Sequence, residues 1–179
     1  MHEIETKILE IDPKGIEEKL NKMGAEKIQD VMLKVDWFSP LALVKENRPS
    51  YLRLRSYSSG KVEVTWKGKK EMLGTVRKTE EVNVLVDSYE KTRMLFEALG
   101  YMCYAHQEKK RVSWRLGNVQ FDMDTYPNIP TYLEIEAPSE KEITDMIKKL
   151  DLEKFETCND GERILIIEKY KADWHDMHF

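Results

Sequence analysis

Charged and apolar residues alternate with period two through eight separate segments of this chain. That period is the signature of extended backbone, whose successive side chains point to opposite faces. Glu3, Glu5 and Lys7 alternate with Ile4, Thr6 and Ile8; Lys34 and Asp36 with Leu33, Val35 and Trp37; Arg53 and Arg55 with Leu52 and Leu54. Glu63, Thr65 and Lys67 alternate with Val62, Val64 and Trp66, and Glu81 and Asn83 with Val82 and Val84. Lys109, Arg111 and Arg115 are set against Val112, Trp114 and Leu116, Asp122 and Asp124 against Phe121 and Met123, and Glu134 and Glu136 against Leu133 and Ile135. Two-faced strands explain how 35% charged residues coexist with a core-forming 41% of hydrophobic ones.

Three helices punctuate the strands. Asp12-Pro13 reads as an N-cap with proline at the first helical position, followed by Ile16, Leu20 and Met23 and stopped by Gly24. A second helix is expected from Asp87 through Tyr89, Leu95 and Leu99 to Gly100, and a third opens at Ser139 with Glu142 in the capping-box position. The segment from Asp160 to about His175 reads as helix, with a strand over Ile164–Ile167 as the alternative. Strand, cap, helix, glycine and strand thus occur twice, implying two β-α-β-β-type halves of one mainly antiparallel sheet. The connections expected are short: Ser39–Pro49, Ser58–Gly60, Gly68–Gly74 and Tyr126–Pro130.

The 179 residues suit a single domain spanning 1–179, with roughly 70% of the unfolded chain's surface buried on folding. A net charge of −4, from 29 basic and 33 acidic residues, argues against a nucleic-acid binder, whose footprint is basic. Two cysteines, Cys103 and Cys158, make no disulfide framework and point to a reducing, cytoplasmic setting. Neither a secretory leader nor a membrane-length apolar run is evident, so no membrane partner is expected.

The alternation alone fits an open sheet with a solvated charged face or a closed barrel with a charged interior. Segregation of the charges favours the barrel. Like charges two apart on one strand face repel, yet Glu3/Glu5, Asp122/Asp124 and Glu134/Glu136 pair acids, while Arg53/Arg55 and Lys109/Arg111 pair bases. Clustered carboxylates suit a hard divalent cation such as Mg²⁺ or Mn²⁺. Clustered Arg and Lys suit phosphate. Together they describe a metal–triphosphate site built from side chains, since no glycine-rich phosphate loop is present.

The ordered set Glu3-x-Glu5-x-Lys7, Asp36, Arg53-x-Arg55, Lys67, Glu81, Lys109-x-Arg111, Asp122 and Glu134-x-Glu136 resembles the CYTH superfamily, the triphosphate tunnel metalloenzymes, across about residues 1–170. The resemblance implies an α+β fold: an eight-stranded antiparallel β-barrel, or tunnel, with helices outside. It implies a small-molecule triphosphate substrate and Mg²⁺ or Mn²⁺. Glu3, Glu5, Glu134 and Glu136 would ligate metal, with Asp122 or Glu81 near a second metal position. Lys7, Arg53, Arg55, Lys67, Lys109 and Arg111 would line the phosphate path, and Glu3, Glu5, Lys7, Glu81 and Asp122 would carry the chemistry. The expected reaction is hydrolysis of inorganic, nucleoside or thiamine triphosphate. The alternatives are a class IV-type adenylate cyclase and a non-catalytic polyphosphate or nucleotide binder. A homodimer is compatible with the family.

Two departures stand out. Thr79 occupies the position of a frequent arginine, with Arg77 one alternation earlier, and Ile129-Pro130-Thr131-Tyr132 replaces the usual turn before the last acid pair. Glu63 and Arg115 are expected in solvent, and Trp37, Trp66 and Trp114 in the core. His106 reads as incidental, His175 and His178 as tail, and Cys103 and Cys158 as buried apolar residues.

Overall fold

The computed structural model describes residues 4–40, 51–73 and 76–179, with backbone alone at 69–73 and 76–80. Glu3, and most of the Ser39–Pro49 connection, lie outside the described residues, as do the side chains of Arg77 and Thr79. Ten strands form: β1 (Ile4–Ile8), β2 (Glu26–Pro40), β3 (Tyr51–Tyr57), β4 (Val62–Leu73), β5 (Val76–Val86), β6 (Tyr101–Leu116), β7 (Val119–Thr125), β8 (Tyr132–Ala137), β9 (Thr157–Cys158) and β10 (Asp176–Met177). The helices are α1 (Pro13–Lys22), α2 (Tyr89–Ala98), α3 (Glu140–Lys149) and the short α4 (Glu162–Ile164), which continues as a π-helical turn over Leu165–Lys169. The class is α+β on a mainly antiparallel sheet.

The expected count of eight strands is corrected to ten among the described residues. The eight charge-alternating segments all form strands, and the C-terminal segment adds β9 against β1 and β10, in parallel, against β6. The hydrogen-bonded order has two ends, β5 and β9, so among the described residues hydrogen bonding does not close it into a barrel. The residues divide into two compact units, one comprising the chain up to Val31 with Lys109–Asp173, the other Met32–Glu108 with Trp174–His178.

In the first unit the apolar faces of β1, β6, β7 and β8 bury Ile8, Val112, Trp114, Phe121, Leu133 and Ile135 against α1 and α3. The helices supply Ile16, Leu20, Ile143 and Met146, the stripe their spacing predicts. Each fully buried aliphatic contributes about 1.5–3 kcal/mol relative to exposure. Asp12 caps α1 by accepting hydrogen bonds from the Lys14 and Gly15 amides. Ser139 caps α3 by accepting a hydrogen bond from the Glu142 amide, and its hydroxyl in turn donates to the Glu142 carboxylate at 2.6 Å, a side-chain variant of the expected capping box. Gly24 ends the first helical segment at φ +77°, a left-handed conformation that favours glycine.

In the second unit β5-β4-β3-β2 are antiparallel neighbours, and Phe38 and Leu54 on one face pack with Phe96 of α2. The cap of α2 is Ser88 rather than Asp87. Leu95 and Leu99, expected on its buried stripe, are exposed, and Phe96 makes the core contact instead. The expected Gly68–Gly74 connection is strand: β4 runs to Leu73, and a register shift between Lys67 and Lys70 absorbs the irregularity as a bulge does. Gln107, fully buried, accepts a hydrogen bond from the Trp37 indole at 2.8 Å and donates to the Trp174 carbonyl at 2.6 Å. That pair of bonds holds the C-terminal segment, whose expected extended helix gives way to α4, the π-helical turn and β10.

Candidate functional site

Strand register assembles the first cluster, which lies wholly in the first unit. Residues directly opposite across a ladder share a face. The pairs Lys7–Glu134, Glu134–Asp122 and Asp122–Ser113 make one row over β1, β8, β7 and β6, and Glu5–Glu136–Gln120 makes the next. Tyr132, Asp124 and Arg111 form a third row beyond them.

Lys7 is buried, its ammonium 3.3 Å from both Glu5 Oε1 and Glu134 Oε2. Burial alone would push its pKa down, but the charges of Glu134 and Glu5 more than reverse this and hold the ammonium protonated. Burial pushes the Glu134 carboxyl above the usual range; Lys7 opposes the shift and the nearby Glu5 charge adds to it. Arg111 donates from Nε and Nη2 to the two oxygens of Asp124, both at 2.6 Å, and from Nη1 to Asp122 at 2.8 Å. Such bidentate pairing is the strong form of the contact.

Lys109, also buried, donates to Asp124 at 2.8 Å and to Glu162 at 2.5 Å. The Tyr132 hydroxyl lies between two acids and shares its single proton between Glu162 at 2.9 Å and Asp124 at 3.2 Å. Burial would raise both acids, yet Lys109 holds Glu162, and Arg111 with Lys109 holds Asp124, below the ordinary carboxylate range. Burial, reinforced by the charges of Glu162 and Asp124, raises the Tyr126 and Tyr132 phenols well above theirs.

Among the described residues this face and the adjoining α4 carry six carboxylates (Glu5, Asp122, Asp124, Glu134, Glu136 and Glu162) against four cations, the buried or half-buried Lys7, Lys109 and Arg111 and the exposed Arg115 opposite Gln120. A surplus of acid with oxygen-only donors fits a hard divalent cation. Glu5, Glu134 and Glu136 are the residues able to hold it. Burial first, and then the neighbouring Glu5 charge, raise the Glu134 pKa even with Lys7 opposing them, so a further cation beside Glu134 would be welcome there.

The second cluster lies in the second unit, where Arg53, Arg55, Thr65, Lys67, Asn83 and Glu81 share a face through β3, β4 and β5. Arg55 donates to Glu63 at 2.5 Å and to Thr65 at 3.3 Å, and among the described residues its buried Nε has no hydrogen-bond partner. Lys61 also reaches Glu63, at 2.6 Å, and Lys67 reaches Glu81 at 2.6 Å. The guanidinium of Arg53 lies 5.4 Å from the Trp37 ring centre. Against burial, which would raise them, Lys61 and Lys67 hold Glu63 and Glu81 below the ordinary range. Glu63, expected in solvent, is buried because both cations neutralise it; Arg115 is exposed as expected. Trp66, expected in the core, is instead 37% exposed.

Each unit thus gathers its own predicted residues: Glu5, Lys7, Lys109, Arg111, Asp122, Glu134 and Glu136 in the first, Arg53, Arg55, Lys67 and Glu81 in the second. Asp36 does not join them. Register puts Trp37, not Asp36, on the Arg53 face, and Asp36 is buried beside Arg93 of α2 and His106. Nothing in the sequence marks Tyr132 or Glu162 as a site residue, and Asp124 is paired there with Asp122 as an acid cluster without an assigned role. Asp124 was signalled by its two-residue spacing from Asp122, whereas nothing local marks Glu162, which reaches Lys109 from 53 positions away.

The CYTH domain family model matches residues 1–158. The chain belongs to the CYTH family. That family is metal-dependent in general, in keeping with the acid surplus. A relative in Methanocaldococcus jannaschii, MJ0240, named as a candidate adenylate cyclase, is 27% identical over 150 residues, covering 83% of this chain and 82% of its own. Among solved structures, the PH1012 protein of Pyrococcus horikoshii OT3 superposes with a TM-score of 0.70 at 24% identity, covering 86% of this chain and 94% of its own. HpAC1 of Hippeastrum, an adenylyl cyclase candidate described as having a dominant triphosphatase activity, superposes with a TM-score of 0.65 at 14% identity, over 99% of this chain and all of its own. These structural likenesses show the CYTH-type fold. No helix among the described residues is long and apolar enough to cross a membrane.

Proposed function

We propose that this CYTH protein hydrolyses a small-molecule triphosphate with the help of Mg²⁺ or Mn²⁺. The observation that carries the reading is the first cluster: acid surplus and buried cations on one strand face, the charge pattern that a metal-bound polyphosphate complements. Glu5, Glu134 and Glu136 are the proposed metal ligands, together with Glu3, two positions before Glu5 in the sequence. A divalent ion bound there supplies charge neutralisation and Lewis-acid polarisation of the phosphates.

As those carboxylates share their charge with a cation, the Lys7 ammonium is left to attract a phosphate oxygen. Arg111 and Lys109 offer further N–H donors; Asp124 and Glu162 keep them oriented and charged. Asp122 stands beside Glu134 on the neighbouring strand, as an acid close to the chemistry. In the second unit, Arg53, Arg55 and Lys67 are proposed phosphate contacts, and Glu81 orients Lys67.

Adenylate cyclase activity is the second reading, favoured by the name of the M. jannaschii relative; the activity described for HpAC1 favours hydrolysis. One incubation series tests both. The protein is given inorganic triphosphate, ATP or thiamine triphosphate with Mg²⁺ or Mn²⁺, and orthophosphate, pyrophosphate and cyclic AMP are resolved. Hydrolysis predicts orthophosphate, with loss of turnover in Glu134→Gln. Stoichiometric cyclic AMP and pyrophosphate from ATP would establish the cyclase instead, and tight triphosphate binding with no product would leave a binder.

A further inference from the structure

A different set of ligand-type residues meets on the second unit, sharing no member with the clusters above. β10 pairs in parallel with β6, Asp176 opposite His106 and Met177 opposite Gln107. The period-two alternation of both strands therefore places His106 and Glu108 on the same face as Asp176 and His178. The two imidazoles stack with ring centres 4.8 Å apart and planes 18° from parallel. One ligand atom from each of His106, Glu108 and His178 lies within 4.8 Å of the other two. In tetrahedral coordination with bonds of about 2.1 Å, ligand atoms sit about 3.4 Å apart. The difference is about 1.4 Å, and the His178 side chain, at the exposed end of the group, has space on its solvent side to shift by that much together with Asp176.

Each imidazole is also oriented by an aspartate. His106 Nδ1 contacts Asp36 Oδ1, and His178 Nε2 lies 2.5 Å from Asp176 Oδ1. A ring nitrogen held as an N–H donor leaves the other nitrogen with its lone pair available, the carboxylate–histidine arrangement found behind metal ligands. Asp36 is 1% exposed, and its second oxygen has no hydrogen-bond partner among the described residues. A buried, half-satisfied carboxylate is costly and gains when the imidazole it touches takes on positive character. Two cations face the group: Arg93, 3.7 Å from Asp36, and Lys34, 3.4 Å from Glu108 and mostly exposed, which an incoming ion would displace.

The geometry points to a binding site for a borderline divalent cation, Zn²⁺ by preference, with His106, Glu108 and His178 as ligands and Asp36 and Asp176 behind the two imidazoles. Two nitrogens and one carboxylate suit Zn²⁺, whereas Mg²⁺ and Mn²⁺ prefer the oxygen-only first cluster. The ion would pin the two-residue β10 to β6.

The test is calorimetric titration of Zn²⁺ into the full chain with Mg²⁺ in large excess, read alongside the imidazole ¹⁵N shifts of its four histidines. One equivalent of Zn²⁺ is expected to bind, shifting His106 and His178 and leaving His175 unmoved. His178→Ala, on an exposed side chain, should weaken binding at least tenfold and keep the native fold. Asp36→Asn should weaken it about 10–100-fold, whereas Glu134→Gln and Cys103→Ser should leave it unchanged. Equal affinity in the wild type and His178→Ala, loss of the site in Glu134→Gln, or no binding tighter than about 100 µM would overturn the assignment. None of these outcomes depends on whether the protein hydrolyses triphosphate.

Discussion

Removing Asp124 tests whether the first cluster is a mutually dependent ion network or a set of independent pairs. Asp124 is fully buried and accepts two hydrogen bonds from Arg111 and one from Lys109, with a share of the Tyr132 hydroxyl proton. Its carboxylate oxygens are the principal compensation for two cations that are themselves largely buried. Taking one partner from a buried ion pair costs about 3–5 kcal/mol, because the other charge is stranded in a poorly solvated place. For a chain of this length each kcal/mol lowers the melting temperature by about 2–4 °C. Asp124→Ala should therefore melt about 6–20 °C below the wild type, as followed by circular dichroism.

Asp124→Asn, which keeps the shape and one acceptor oxygen, should fall between the two. Glu153→Ala, at an exposed position, should stay within about ±0.5 kcal/mol of the wild type. Adding pyrophosphate should restore part of the loss in Asp124→Ala, since an anion can occupy the stranded cations' hydrogen bonds. A melting temperature for Asp124→Ala within about 2 °C of the wild type would refute the reasoning, because Glu162 and Asp122 would then be sufficient partners on their own.

Further expectations concern the acids and one helix cap. Glu5→Gln should abolish triphosphate turnover in the phosphate-release assay while leaving the melting temperature nearly unchanged, since the Glu5 side chain is 54% exposed and leaves Lys7 its Glu134 partner; wild-type rates would remove Glu5 from the chemistry. Asp124, Glu162, Glu63 and Glu81 are all held below the ordinary carboxylate range. Their stabilising contribution is complete above the unfolded value of about 4 and is lost as pH falls through their depressed folded values. Thermal melts should thus show a steep loss below about pH 4, and a flat profile down to pH 2 would contradict the shifts. Ser139→Ala removes the acceptor of the Glu142 amide at the start of α3 and should cost about 1 kcal/mol, or about 2–4 °C in a calorimetric scan.

The cluster on β1, β6, β7 and β8 was readable in the sequence because a period of two places Lys7, Glu134 and Asp122 on definite faces, and antiparallel neighbours then bring those faces together. The caps at Asp12 and Ser139 were readable for a similar reason, their partners lying two or three residues away. What failed depended on distant packing. Asp36 obeys its own strand's alternation, but which face of β2 meets the Arg53 row is set by pairing with β3. Leu95 and Leu99 fit a helical period, yet Phe96 is what the β2–β3 surface accepts. Glu162 and His178 reach their partners only because short C-terminal elements dock against strands far away in sequence, and a two-residue strand such as β10 has too few positions to show any periodicity.

Gln107 sets a constraint of its own on how this chain can drift over evolutionary time. Its amide is a two-way adapter, oxygen toward the Trp37 indole and nitrogen toward the Trp174 backbone. Glutamate at this position would keep the oxygen and orphan the carbonyl, and leucine would orphan both tryptophan groups. The interior of the second unit can exchange one aliphatic side chain for another with modest penalty, but at this node few single-nucleotide steps lead anywhere tolerable.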